Sequence, residues 1–211
     1  MRFSLLCLLT AGLSTAQVAP QAAIYHDQDL DFSFRYPGAL RVNEEVRHKA
    51  VLRARNRVQD EAEASKALSC LQTQLVAVEN PGTSTFRVLA ITRLDLDCRN
   101  EAVRSVKLDE LTKDGLRTAM MMLGHPVIGK ASGYKILEHP ASVVDGSIDP
   151  QASVSKGPIL GEMVCAIIEH SVVCFSALGT DRTRVRQVME DGITFAGREQ
   201  QPLVSAGLLS P

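Results

Sequence analysis

Four cysteines, Cys70, Cys98, Cys165 and Cys174, restrict the folds open to this chain more than any other feature. An even set of thiols in an exported protein pairs, and each pair staples two segments together. Export is read from residues 1–16, where Arg2 precedes an apolar run from Phe3 to Leu13 and Ser14-Thr15-Ala16 puts small residues where a signal peptidase reads, so cleavage is expected after Ala16. The run is far shorter than the ~20 apolar residues of a bilayer span, and no later stretch approaches that length, so no membrane span is expected. Cys7 lies inside the run without small residues just ahead of it, which argues against a lipid-modified N-terminus.

Three pairings of the four cysteines are possible. Residues 164–168 and 172–175 are β-branched runs on either side of Glu169-His170-Ser171, and a two-residue loop at Glu169-His170 sets Cys165 opposite Cys174. Residues 75–78 and 86–91 flank the turn signal Asn80-Pro81-Gly82-Thr83, and Cys70 and Cys98 lie symmetrically at the outer ends. Two hairpin disulfides are therefore expected, Cys165 with Cys174 and Cys70 with Cys98. Zinc sites want closely spaced cysteine pairs and redox sites want Cys-x-x-Cys, and the chain has neither.

Removal of 16 residues from 211 leaves 195, enough for one domain with a sizeable core, since domains run to about 100–200 residues. The 23 basic residues less Arg2, against 24 acidic ones, leave a net charge of −2, which argues against attraction to nucleic acid or an anionic membrane. No tryptophan and 4% aromatic residues leave little for a stacking platform for bases or sugars.

Along the chain, Ile24-Tyr25 and residues 32–36 read as two strands around a polar stretch, with Pro37-Gly38 ending the second. Asn43 caps a long helix, Glu44 and Glu45 suit its N-terminal dipole, and Val42, Val46, Ala50, Val51, Ala54, Val58, Ala62 and Ser65 form a stripe expected to pack on a sheet. Its other face carries Arg47, Lys49, Arg53, Arg55 and Arg57, read as a solvated face because Asp60, Glu61 and Glu63 follow. Leu108, Leu111, Gly115, Leu116, Ala119, Met122 and Leu123 mark a second helix stopped by Gly124 with His125-Pro126. Residues 134–137 read as a strand and 139–158 as a long loop, with the turn signals Asp145-Gly146 and Asp149-Pro150. After the second hairpin, Asp181 caps a third helix with Val185, Val188 and Met189 inward, and Gly192 leads to a last strand over 193–195. The expected organisation is a signal peptide over 1–16, one α+β domain over 17–196 and a flexible tail over 197–211. This element order predicts an antiparallel sheet with helices packed on it.

The segment Asp31-Phe32-Ser33-Phe34-Arg35-Tyr36-Pro37 resembles the "hydrophobic, Phe, x, Tyr-Pro" opening of the PsbP-like and DcrB-like exported proteins. Gly192-Ile193-Thr194-Phe195, after a short helix, resembles their closing "Ser-Ile-x-Phe" strand, with Gly192 where the family has serine. The resemblance covers the two ends and the element order between them. It implies an α/β/α sandwich with a central antiparallel sheet, and a largely non-enzymatic family of assembly factors and envelope or lumenal proteins. It transfers no catalytic residue.

Few residues point to chemistry. Asp27, Asp29 and Asp31 could share one side of an extended segment and offer carboxylates to calcium, but the turn glycine and closing glutamate of such a loop are missing, so an acidic surface turn is expected. Consecutive methionines Met120, Met121 and Met122 point in different directions on a helix, which favours core filling over a soft-metal site. His26, His48, His125, His139 and His170 belong to no metal or nucleophile motif. The expectation is an exported, secreted or periplasmic, non-catalytic interaction or assembly module with a protein partner, and with no catalytic, cofactor-binding or metal-binding residue. The alternative is a hydrolase-like enzyme with its site assembled around the 139–158 loop.

Overall fold

The computed structural model describes residues 21–57, 70–97, 107–149, 157–190, 192–195, 198 and 201–204. The described part is mostly β-sheet with three helices. In chain order the elements are β1 (Ala23–Asp27), β2 (Phe32–Tyr36), β3 (Arg41–Val42), α1 (Glu44–Arg57), β4 (Leu71–Glu79), β5 (Arg87–Asp95), α2 (Leu108–Met120) and β6 (Val127–Ile128). They continue as β7 (Ser132–Ile136), β8 (His139–Ile148), β9 (Ile159–Ile168), β10 (Ser171–Gly179), α3 (Arg182–Glu190) and β11 (Ile193–Phe195).

The strands form two sheets. The larger is antiparallel in the order β3-β4-β5-β10-β9-β8-β6, with β7 also paired to β8, and the smaller is β1-β2-β11. Alternation dictates how they stack. In β2, Phe32, Phe34 and Tyr36 are buried between outward Ser33 and Arg35, so the small sheet presents an aromatic face to the large one. Phe175 of β10 receives it, with ring centroids 4.9 Å from Phe34 and 5.9 Å from Phe32. Beside the small sheet, α3 buries Val185, Val188 and Met189 in the same core. On the opposite face α2 lays Thr112, Leu116 and Met120, one turn apart, over the sheet. The approach is close, because a Cβ on Gly161 of β9 would sit 2.8 Å from both Met120 Sδ and Leu178 Cδ2.

The hairpin at Glu169-His170 is as expected, with Ile168 paired to Ser171, Glu169 at φ 51° and Cys165 opposite Cys174. These two cysteines form a disulfide, Cα to Cα 4.1 Å. The turn at 80–83 joins β4 to β5 with Asn80 and Gly82 in the left-handed region. Cys70 is buried and disulfide-bonded, and its backbone carbonyl accepts from Asp95 N–H. Cys98 and residues 1–20 lie outside the described residues.

Four expectations change. The segment 139–148 is strand β8, paired to β9 from Ala141 to Ile148, rather than the start of a long loop. Its Gly146 is no turn residue, for a Cβ there would meet Ile128 Cδ1 at 2.9 Å and Val127 O at 3.2 Å, so the glycine admits the neighbouring strand. A hydrolase-like site built on a loop loses those ten residues to the sheet. Val42 belongs to the edge strand β3 and is 52% exposed, not part of a buried helix stripe. Asn43 does cap α1, accepting Val46 N–H at 2.9 Å, and Val46 of the expected stripe is half-buried, while Ala50, Val51, Ala54, Val58, Ala62 and Ser65 lie outside the residues whose burial is described. The expected tail is also partly tied down, since Gln201 bridges to Ile193 and Leu203 and Val204 are buried.

Candidate functional site

Among the described residues, one half of the large sheet is left without a helix over it. α2 crosses β8 and β9, and the adjoining strands β10, β5 and β4 continue past it as the floor of a groove of ≈ 500 Å³. Register sets that floor. Val172 lies opposite Leu94, which lies opposite Leu71. The next row is Cys174, Thr92 and Thr73, and the third is Ser176, Ala90 and Val76. The step from Thr73 to Val76, three residues where two are usual, reflects a β-bulge between Thr73 and Leu75 that re-aims β4 and keeps Val76 on the groove side. α2 supplies the wall, where Leu111, Gly115, Thr118 and Ala119 recur at helical spacing and Met163 of β9 fills the corner. Gly115 lets Met163 seat against that wall, since a Cβ there would meet Met163 Sδ at 2.8 Å.

The groove is apolar and uncharged except for Asp114 on the wall, which turns to Arg117 Nη1 at 2.5 Å. Ser176 Oγ donates to Ala90 O at 3.4 Å. Thr73, Thr92 and Thr118 add hydroxyls, and among the described residues no histidine or free thiol lines the groove, since Cys174 is in a disulfide. A volume of ≈ 500 Å³ lies within the about 300–1,000 Å³ of small-molecule sites, but the convergent polar groups that orient a substrate are missing. Such a surface suits burial of an apolar segment.

The residues singled out in the sequence lie elsewhere. Asp27, Asp29 and Asp31 do not converge. Asp27 Oδ1 accepts the backbone N–H of Asp29 and Leu30, both at 3.1 Å, and its Oδ2 accepts Tyr25 O–H at 3.2 Å. Asp29 reaches across to Arg93 Nη1 of β5 at 3.0 Å, while Asp31 holds the turn at φ 46°. The acidic turn thus fastens the small sheet to the large one. His26 Nδ1 sits 3.0 Å from Ser33 Oγ, His139 stacks on Phe195 at 4.6 Å, and His48, His125 and His170 are exposed. Met120 is fully buried whereas Met121 and Met122 are exposed, so the three do not share a site. Arg47 and Lys49 pair with Glu44 and Glu45. Among the described residues no three His, Cys, Asp or Glu side chains are grouped to hold a metal ion.

No family model matches the sequence, and no curated protein matches it. In structure the chain is similar to cyanobacterial PsbP (CyanoP) from Synechocystis sp. PCC 6803, with 10% identity, 83% of this chain and 88% of that one covered, and a TM-score of 0.45. It is also similar to LpqN of Mycobacterium tuberculosis, described as involved in cell envelope biogenesis, with 13% identity, coverage of 82% and 90%, and a TM-score of 0.43. PsbP, which the terminal motifs resemble, is thus among the folds this chain is similar to. Likeness at this level carries over no residue, ligand or activity.

The groove itself escaped sequence reading. Its floor combines residues from 71 to 176, and nothing in the spacing of one strand tells which strands will be neighbours. The one local signal was the small-residue side of α2, Gly115 with Ala119, whose period was legible although its purpose was not.

Proposed function

We propose that this chain is an exported, non-catalytic interaction module that works by burying an apolar segment of a protein partner in the groove between α2 and strands β4, β5 and β10. The uncharged floor of that groove carries the reading. A second feature favours a peptide as occupant. Among the described residues β3 pairs only with Ala77 and Val78, so the Leu71 end of β4 borders the groove with no described strand beside it. An extended segment can use such an edge for backbone hydrogen bonds while its side chains enter the groove. Export to the periplasm or outside is supported by the leader-like residues 1–16, and no helix among the described residues is long and apolar enough to cross a membrane. The mature chain is read as one α+β domain over 17–196, an α/β/α sandwich in which the small sheet shares one outer layer with α3. A second hairpin disulfide between Cys70 and Cys98 belongs to the same proposal and fits the place of Cys70 beside Asp95.

Site-specific photocrosslinking in the native envelope tests this reading. A crosslinker at Thr92 or Thr118 should trap one protein species that a crosslinker at Arg35, on the outer face of the small sheet, does not, and Ala90→Asp at the centre of the floor should abolish the product. Equal crosslinking from all three positions, or a product indifferent to Ala90→Asp in a folded variant, refutes the assignment of the groove.

A further inference from the structure

On the face of the sheet turned away from the groove, β8 and β9 set two carboxylates against each other, because Asp145 lies directly opposite Glu162. Opposed side chains on antiparallel neighbours hold their Cβ atoms about 4.5–5.5 Å apart, and like charges so placed repel. The next strand contributes Ala177, which is neutral. α3 covers the row, leaving Glu162 only 5% exposed. Its Oε1 is 3.6 Å from Arg186 Nε, an ion pair without a hydrogen bond, and its Oε2 is buried with no hydrogen-bond partner among the described residues. The charged groups around Glu162 are Asp145 from β8 and Arg186, Arg182 and Glu190 from α3. A carboxylate oxygen buried in this way loses its hydration and gains no hydrogen bond in return.

We propose that Glu162 is a proton-binding site in the seam between α3 and the sheet, through which mild acidity seats α3 more firmly. The reaction is the addition of one solvent proton to the Glu162 carboxylate, giving the neutral acid. Arg186 keeps its own proton, and its side chain, 32% exposed, meets water. In the ionised state the seam contains a poorly compensated buried charge; in the protonated state that charge is gone and the apolar contacts of Val185, Val188 and Met189 act unopposed.

Burial pushes the Glu162 carboxyl above its usual value of 4.5, Arg186 and Arg182 pull it back, and Asp145 and Glu190 add to the rise. The folded chain therefore holds this proton more tightly than the unfolded chain. The stability it confers is present below the unfolded value and is lost as pH rises through the folded one, the reverse of an ordinary salt-bridged carboxylate.

The test is a carbon-detected NMR titration of the Glu162 carboxyl in the full mature chain, combined with amide exchange protection of α3. The midpoint is expected above 4.5, lower in Asp145→Asn, which removes the like charge, and higher in Arg186→Gln. Each unit by which it exceeds the ordinary value corresponds to a tenfold gain in protection of α3 amides on acidification. In Glu162→Gln protection should stay at its acid level across the range. A midpoint at or below 4.5, an Asp145→Asn variant whose midpoint does not fall, or equal pH dependence of α3 protection in the wild type and Glu162→Gln would overturn the proposal.

Discussion

Truncation of Phe175 to alanine tests whether the two sheets are held together as the fold requires. Among the described residues the small sheet shares no ladder with the large one, and side chains together with the Asp29–Arg93 ion pair attach it. Phe175 sits at the centre of that attachment, fully buried and in ring contact with both Phe32 and Phe34. On the large sheet it is the middle of a continuous row running Val143, Val164, Phe175, Ile91 and Leu75, four of them apolar neighbours that cannot refill the space without moving strands. Buried Phe→Ala changes cost about 3–5 kcal/mol through lost transfer energy and the cavity left behind. Against a total stability of about 5–15 kcal/mol that is a fifth or more. At about 2–4 °C per kcal/mol for a chain of this size, the melting temperature should fall by roughly 6–20 °C. Urea denaturation of the oxidised mature protein supplies the assay, with Val127→Ala, 72% exposed, as the control expected within about 0.5 kcal/mol of wild type. The amides of β2 should also exchange faster, since Phe32 and Phe34 lose their counterpart. A loss below about 1 kcal/mol for Phe175→Ala, with an unchanged denaturant slope, would mean that the sheets are not stacked through this residue.

Two further outcomes follow from the packing. Gly161→Ala should destabilise by about 1–3 kcal/mol, because the added methyl meets Leu178 Cδ2 and Met120 Sδ at 2.8 Å and Leu116 Cδ1 at 3.0 Å; a neutral result in thermal melts would show that α2 sits farther from β9. At alkaline pH stability should fall steeply above the usual phenol value of 10.0, since burial pushes the Tyr134 hydroxyl up and the folded chain retains a proton that the unfolded chain releases. Burial raises Tyr36 likewise, and Tyr25 is raised by burial together with the charge and hydrogen bond of Asp27. Tyr134→Phe should lose about 0.5–1.5 kcal/mol near neutrality, with the hydrogen bond to Leu203 O, yet show a shallower alkaline decline; an unchanged slope in pH-dependent denaturation counts against the burial of this group.

Where one element's own residues carried the signal, sequence and structure agree. Period-two alternation in 32–36, the tight turn at Glu169-His170 that pairs Cys165 with Cys174, and the inward Val185, Val188 and Met189 of α3 are all consequences of geometry within a few residues. Strand β8 shows the opposite case. Asp145-Gly146 and Asp149-Pro150 look like turn chemistry in isolation, but Gly146 is demanded by the close approach of β6, a contact that exists only in the fold. The cap of α1 belongs with the local cases, since Asn43 accepts Val46 N–H three residues on.

The functional features divide the same way. Sequence alone determined the leader-like start, the hairpin disulfide, the amphipathic helices and the lack of any compact catalytic motif, since each is written in neighbouring residues. Tertiary structure alone decided that Leu71, Thr92 and Ser176 share one uncharged floor and that Asp145 faces Glu162 beneath α3. The physical reason is register: backbone pairing between strands remote in sequence chooses which side chains become neighbours, and both burial and charge repulsion follow from that choice.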